Sequence, residues 1–324
     1  MDNIITKFKG LKALVVGDVM IDAYYFGKVD RISPEAPVPV VAVQHKESRL
    51  GGAANVAMNL KALGAKPIVC SVIGHDKDGD DLIALFKAQD IGVSGIVQSK
   101  ERVTTVKLRV IAQSHQMLRI DSEDTSPINT VDSFELVKKI HELLIDADVL
   151  IFEDYDKGVL TEQNIKQIIA EAHKKGIPVV VDPKKQNFNH YKGADLFKPN
   201  LKELKDGLKT DIDIHDKPAF EEAIKGMMKN MQLKYAMITL SEKGVMCTDG
   251  NTFAYIPAHI RKIADVSGAG DTVISVAALC MVLNMKMEHV AAISNLAGGL
   301  VCEEVGVVPI NVETFTRELA LLNI

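Results

Sequence analysis

The sequence predicts an α/β fold with a mainly parallel central sheet, helices on both faces and a small β-sheet lid. Two observations predict it. Strand-like apolar runs alternate with helix-like segments along most of the length, and two stretches break that rhythm with β patterning of their own. Alternation of this kind builds βαβ units, whose right-handed crossovers give a parallel sheet covered on both faces. The 324 residues suffice for a large core. No internal repeat or low-complexity linker divides them, so residues 1–324 are read as one domain.

The elements follow in order. Residues 14–16 form an apolar run that stops at Gly17-Asp18, as a buried strand would. Residues 53–63 carry helical spacing and end at Gly64, a residue suited to closing a helix. Residues 68–73 read as the next strand, and 80–89 as a helix ending before Gly92. The acidic run 76–81 is read as that helix's start, because its spacing fails a calcium loop and no Glu stands at the twelfth position. Residues 149–152 form a strand, 162–174 a helix stopped at Gly176, 179–181 a strand, and 236–240 another. The apolar residues from Val273 to Val282 read as a buried helix.

The two interruptions are residues 22–44 and 102–120. The first carries Tyr24, Tyr25 and Phe26, then Pro34, Pro37 and Pro39 before Val40, Val41 and Val43. In the second, Thr105, Lys107 and Arg109 alternate with Val106, Leu108 and Val110. Both are expected to form a lid over the strand ends. An exposed sheet face commonly pairs with a second copy, so a homodimer through the lid is expected.

Composition narrows the class. A net charge of −5, from 38 basic and 43 acidic residues, argues against a general nucleic-acid binder. No window approaches the ~18 apolar residues of a membrane span. Neither a nucleic-acid nor a membrane partner is expected. The first ten residues lack the apolar centre of a signal peptide, and Cys70, Cys247, Cys280 and Cys302 form no CxxC pair. They read as reduced thiols, and a cytoplasmic location is expected. The nine histidines show no metal-ligand spacing.

The chemistry concentrates in a few motifs. Asp265-Val266-Ser267-Gly268-Ala269-Gly270-Asp271 enters the apolar run at 273. A turn of small residues at a helix N-terminus offers free N–H groups and the positive end of the helix dipole, which suits an anion. Asp271 puts a carboxylate beside that anion, where its use is to take a proton from a hydroxyl attacking a phosphate. Gly51-Gly52-Ala53-Ala54-Asn55 opens the helix at 53, with Asn55 offering donor and acceptor to sugar hydroxyls. Neither GxGxxG nor GxxxxGK[ST] occurs, so dinucleotide and P-loop readings lose their fingerprints. Asp18 and Asp22 follow the first strand, where open α/β sheets bind ligands, and a carboxylate there can accept from sugar hydroxyls. Asn200 and Glu203 share one side of a helical turn, either as a capping pair or as a holder of magnesium through its waters. Thr239-Leu240-Ser241-Glu242-Lys243-Gly244 follows a strand and can meet nucleotide phosphates or ribose.

In this order, GGAAN (51–55), NLKE (200–203) and DVSGAGD (265–271) resemble the motifs of the PfkB, or ribokinase-like, family of carbohydrate kinases. The likeness spans essentially the whole chain and implies a ribokinase-like three-layer sandwich. It implies an enzyme using ATP and Mg2+, with Asp271 as the base and Gly268, Ala269 and Gly270 as the anion hole. Asp22, Gly51, Gly52 and Asn55 match sugar-contacting positions, and Asn200 and Glu203 the magnesium and phosphate motif. Ser241, Gly244 and Asn295 fall where nucleotide contacts are expected. Asp265 and Ser267 fall near the monovalent-cation site of many members, which makes K+ a candidate cofactor.

GDVMIDAY (17–24), RISPEAPVPVV (31–41), GGAANVAMNL (51–60), TVKLRV (105–110) and DPK (182–184) resemble one branch of that family more narrowly. That branch phosphorylates the anomeric hydroxyl of D-glycero-β-D-manno-heptose 7-phosphate, giving the 1,7-bisphosphate for ADP-heptose and lipopolysaccharide core synthesis. Its kinase is often fused to a nucleotidyltransferase domain. This chain stops at Ile324 without one, so a separate protein is expected to supply that step. A sugar that already carries a phosphate needs cations at its far end. Lys107 and Arg109 share a strand face in the lid, with Arg119 and Arg31 as further candidates. The alternatives are a kinase of this family for ribose, fructose phosphate or adenosine, and a non-catalytic sugar or nucleotide sensor on the same fold. A sensor has no use for Asp271.

Overall fold

The computed structural model describes residues 4–113, 115–259 and 261–322; Ser114, inside the second lid stretch, lies outside them. A short helix α1 (Ile4–Phe8) leads into β1 (Lys12–Gly17), after which two long strands follow at once, β2 (Val19–Ile32) and β3 (Pro39–Gly52). The latter runs with no intervening loop into α2 (Ala53–Ala62). Then come β4 (Lys66–Gly74), α3 (Lys77–Ala88), β5 (Gly92–Ser99), β6 (Val106–Ala112), β7 (His115–Ser122) and α4 (Thr130–Leu143). The middle of the chain gives β8 (Val149–Glu153), α5 (Glu162–Lys174), β9 (Val179–Asp182), β10 (Leu196–Phe197), α6 (Leu201–Leu208) and α7 (Lys217–Met231). The last third supplies β11 (Tyr235–Thr239), β12 (Val245–Thr248), β13 (Phe253–Ile256), α8 (Ala269–Val282), α9 (Met287–Val301) and α10 (Val312–Leu319).

Nine strands build the central sheet in the order β13-β12-β11-β10-β9-β8-β1-β4-β5. All neighbours are parallel except the pairs β11–β12 and β12–β13. The middle strands are buried on both faces, which is why they read as unbroken apolar runs. Successive side chains still part company. Val15, Ile151 and Val180 join the core under α2, α8 and α9. Leu14, Val16, Phe152 and Val181 join the core under α4, α5 and α7. Two cores on one sheet make the three-layer architecture.

Local chemistry sets the helix starts. Asp76 caps α3 by accepting from the Gly79 N–H, so that helix begins at Lys77, ahead of the residue 80 that apolar spacing alone indicated. Thr161 and Asn164 form a reciprocal capping box on α5. In contrast, α8 and α9 are buried almost all round. A helix of that kind carries no amphipathic period.

The four remaining strands form a separate sheet in the order β3-β2-β6-β7. Here β2 and β3 make a long antiparallel ribbon, β6 lies parallel to β2, and β7 returns antiparallel to β6. The ribbon's ladder continues to Met20 opposite Gly51 and Val19 opposite Gly52. The lid strands therefore occupy 19–52 and 106–122, a wider span than their aromatic and proline patterning marks. The two glycines belong to the ladder and to the helix entrance at once.

Candidate active site

The site forms where α8 begins, against the C-terminal ends of the central strands. Gly268 caps α8 with a φ of 79°, and a Cβ there would lie 2.9 Å from Asn55 Nδ2, so a side chain would be strained by the backbone and would push against Asn55. Asp271 follows in the first turn and is only 7% exposed. Its Oδ2 accepts from Asn55 Nδ2 at 2.7 Å and its Oδ1 from the Tyr155 hydroxyl at 2.9 Å. Burial pushes its pKa up from the ordinary carboxylate value and Asp182 adds to that, while the bonds from Asn55 and Tyr155 and the charge of Lys198 oppose it. Beneath, α2 and α8 are laced together. Asn59 Oδ1 accepts from the Thr272 hydroxyl and from the Ile310 N–H, each at 3.0 Å, and Ser275 donates to the carbonyl of Val56 at 3.3 Å.

Strand ends supply the charges around Asp271. Lys198 follows β10 and pairs with Asp182 at the end of β9, 2.8 Å away and almost wholly buried. Burial alone would lower the Lys198 pKa, but the carboxylates of Asp182 and Glu203 outweigh it and raise it. Glu153 ends β8 buried, its carboxyl pushed well up by burial and by Asp182 and Asp271, and its Oε2 has no hydrogen-bond partner. A Cβ placed on Gly270 would lie 3.7 Å from Asp182 Oδ2 and 3.8 Å from Lys198 Nζ. The glycine turn, the base candidate and this ion pair therefore border one space.

Asn200 and Glu203 form a capping box on α6. Asn200 Oδ1 accepts from the Glu203 N–H at 2.9 Å, and Glu203 Oε2 accepts from the Asn200 N–H at 2.8 Å. Glu203 Oε1 pairs with Lys184. Both carboxylate oxygens are thus engaged, and no group of three or more His, Cys, Asp or Glu among the described residues is arranged to hold a metal by itself. Asp265 Oδ1 accepts from the Ser267 N–H at 2.9 Å and its Oδ2 from the Gly306 N–H at 3.0 Å. Ser241 and Gly244 lie in the turn between β11 and β12, and Asn295 on α9 donates to the Pro257 carbonyl at 2.9 Å. A Cβ on Gly244 would meet Ile256 O at 2.0 Å, so Gly244 and Asn295 both meet residues 256–258, with Ser241 in the same turn as Gly244.

Register explains the lid. Arg49, Asp22, Lys107 and Asp121 stand opposite one another across β3, β2, β6 and β7, and so do Glu47, Tyr24, Arg109 and Arg119. Residues paired across strands share a face, and each row is two residues along from the other, so all eight lie on one side. Asp22 is 5% exposed and accepts from Arg109 Nη1 at 2.5 Å. A Cβ on Gly51 would strike Asp22 Oδ2 at 2.2 Å. Lys107 lies 3.5 Å from Asp121 and 3.6 Å from Glu123. Arg119 pairs with Asp121 at 2.9 Å, whereas Arg31 stands exposed near the ribbon's tip, opposite Val40.

Asp18 is spent otherwise than on a sugar. Its Oδ2 accepts from the N–H groups of Tyr155 and Lys157, at 2.9 and 3.2 Å, and its Oδ1 from that of Val159 at 3.1 Å. Burial and the neighbouring Asp154 push its pKa up to about 6. Its work is to hold the loop after β8.

Against known proteins, residues 11–314 match the pfkB family of carbohydrate kinases. The chain belongs to that family. A protein named "Bifunctional protein HldE" from Syntrophotalea carbinolica is 37% identical over 99% of this chain, and its namesake from Sulfurimonas denitrificans is 40% identical over 96%. The chain spans 65% of the length of each of these relatives. Among solved structures, phosphofructokinase-2 from Escherichia coli in complex with potassium superimposes with a TM-score of 0.81 at 19% identity, covering 97% of this chain and 98% of that one. Arabidopsis thaliana ribokinase complexed with ribose and ATP gives 0.74 at 18%, covering 97% and 100%. These likenesses give the pfkB chain its ribokinase-like fold.

Several polar groups of this pfkB chain escape the motif reading. Tyr155, Glu153 and Lys198 all follow or end strands, and Arg49 stands two residues before Gly51; Asp182 belongs to the DPK run, which assigns it no role. The available signal is positional: 153–155 continues the apolar run 149–152, at the end of the sheet where ligands gather.

Proposed function

We propose that this chain transfers the γ-phosphoryl group of ATP to the anomeric hydroxyl of D-glycero-β-D-manno-heptose 7-phosphate, giving the 1,7-bisphosphate for ADP-heptose synthesis. The carrying observation is Asp271, a buried carboxylate oriented by Asn55 and Tyr155 in the first turn of α8. Asp271 takes the proton of the hydroxyl as its oxygen bonds to the γ-phosphorus. The bond from that phosphorus to the bridging oxygen breaks, and ADP leaves. A base whose pKa is raised by burial matches the hydroxyl better than an ordinary aspartate. The N–H groups of Gly268 and Gly270 and the dipole of α8 serve the charge that develops on the phosphoryl oxygens in this reading, whereas the Ala269 N–H, expected in the same anion hole, donates to the Val266 carbonyl at 3.3 Å.

Asp22, Gly51, Gly52 and Asn55 border the sugar in this reading, with Lys107 and Arg109 at its distal phosphate. Ser241, Gly244 and Asn295 serve the nucleotide. The donor set fits magnesium that arrives on ATP and keeps its waters, since such an ion needs few protein ligands. Asn200 and Glu203 would reach it through water, and bound there it neutralises charge on the phosphates. Asp265 and Ser267 are the candidate holders of potassium. The chain contains no helix long and apolar enough to cross a membrane among its described residues. A homodimer joined through the lid accords with the apolar lid residues Leu118 and Ile120, 55% and 48% exposed, and the cytoplasm is the proposed place of work.

The test is ATP consumption by the purified protein with D-glycero-D-manno-heptose 7-phosphate, ribose, fructose 6-phosphate and adenosine, with phosphorus NMR of the products. The expected result is a heptose 1,7-bisphosphate signal and little turnover of the others. Turnover of another sugar alone would keep the kinase and remove the heptose assignment.

A further inference from the structure

We infer that Tyr155 is a positioning residue for the base, its hydroxyl fixing, opposite Asn55, the plane in which the Asp271 carboxylate is presented to the sugar. This rests on the assignment of Asp271 as base. The hydroxyl of Tyr155 donates to Asp271 Oδ1 at 2.9 Å, and Asn55 Nδ2 donates to Oδ2 at 2.7 Å. A carboxylate gripped at one oxygen still swings about its Cβ–Cγ bond. Gripped at both, by donors from two different elements, it has one orientation, with a lone pair of each oxygen left over for an incoming hydroxyl.

Tyr155 is itself held at three points. Its backbone N–H donates to Asp18 Oδ2 at 2.9 Å, the Lys184 ammonium lies 5.4 Å from its ring centroid, and its hydroxyl is committed to Asp271. Asp18 also takes the N–H groups of Lys157 and Val159, so a buried carboxylate fastens the whole turn that carries the tyrosine. Lys184 in turn is paired with Glu203. The tyrosine's placement is over-determined in the way a group that must aim another group requires.

The charges facing Asp271 come from every side: Asp182 at the end of β9, Lys198 after β10, Glu153 at the end of β8, and the neutral donors Asn55 and Tyr155. Among these, burial and Asp182 favour the protonated acid, while Asn55, Tyr155 and Lys198 favour the carboxylate. Loss of the tyrosine hydroxyl removes one grip and one donor to the ionised form together. Both effects act on turnover, and the second also moves its pH dependence.

The test is Tyr155→Phe, which keeps the ring and its contact with Lys184. Turnover is expected to fall by about tenfold or more, since a small misplacement of a reacting group is costly. The acid limb of the kcat profile is expected to move to higher pH, with the KM for ATP within about twofold of the parent, as expected when the lost interaction is felt mainly in the transition state. A merely structural tyrosine would leave that limb in place. Asp271→Asn is measured beside it. Near-normal turnover of Asp271→Asn removes the base assignment itself. An inactive Asp271→Asn alongside a Tyr155→Phe with parental turnover and pH profile overturns the positioning role alone.

Discussion

The central sheet and the lid use the same secondary structure for opposite ends. Strands β1, β8 and β9 are short, parallel and buried on both faces, and they deliver single polar residues at their ends: Asp18 after β1, Glu153 and Asp182 at the last positions of β8 and β9. The lid ribbon is 14 residues long in each strand, with one face a lattice of paired charges and much of the rest open. The contrast teaches where each property resides. Rigidity around Asp271 is stored in close packing and helix-to-helix bonds. On the proposed reading, recognition of the sugar's distal phosphate falls to lid cations that are now paired with carboxylates.

That division can be broken from either side. The largest effect is expected in the core: Phe152→Ala empties a fully buried site whose ring packs on Tyr191 with centroids 5.5 Å apart. It should cost about 3–5 kcal/mol of stability, read by denaturant melts. A loss under 1 kcal/mol would show that the core gives way more easily than its packing implies. Next comes Asp271→Asn, expected to keep the parental melting profile and lower turnover by about 10²-fold or more. Near-parental turnover would move the base elsewhere. The smallest change is expected in the lid. Lys107→Ala with Arg109→Lys keeps a cation beside Asp22 but removes an ammonium and a guanidinium fork. The KM for the sugar phosphate should rise about tenfold, the worth of about one charged hydrogen bond, with ATP barely affected. Equal rises for both substrates would end the assignment of these residues to the distal phosphate.

The sequence makes the parallel core legible because a strand buried on both faces has nothing but apolar residues to show. Helix stops at glycine and the buried run after Asp271 are legible for similar reasons. Other parts are hidden for physical causes. Strand β10 is two residues long, held by pairing to β9 and β11 rather than by any pattern of its own. Asn55 appears in the sequence as a sugar ligand, yet its amide reaches across 216 residues to Asp271, a contact no local spacing announces. That Asn200 and Glu203 form a helix cap depends on which oxygens are engaged, and only geometry shows it. Lys107 and Arg109 are legible as cations on one face. Their carboxylate partners Asp121, Glu123 and Asp22 come from other strands and the turn after β7, so the sequence shows the charges without their neutralisation.

The ribbon of β2 and β3 leaves the core beside Asp18 and returns at Gly52, where the Ala53 N–H donates to the Asp18 carbonyl at 3.0 Å. Exit and return are thus one clasp, and the ribbon between them has a solvent-exposed tip around residues 34–38. The root of the ribbon is the first turn of α2, which holds Asn55. The tip is consequently a handle on the outside of the molecule: a dye fixed there is expected to sense movement of the ribbon whose root meets the helix that carries Asn55.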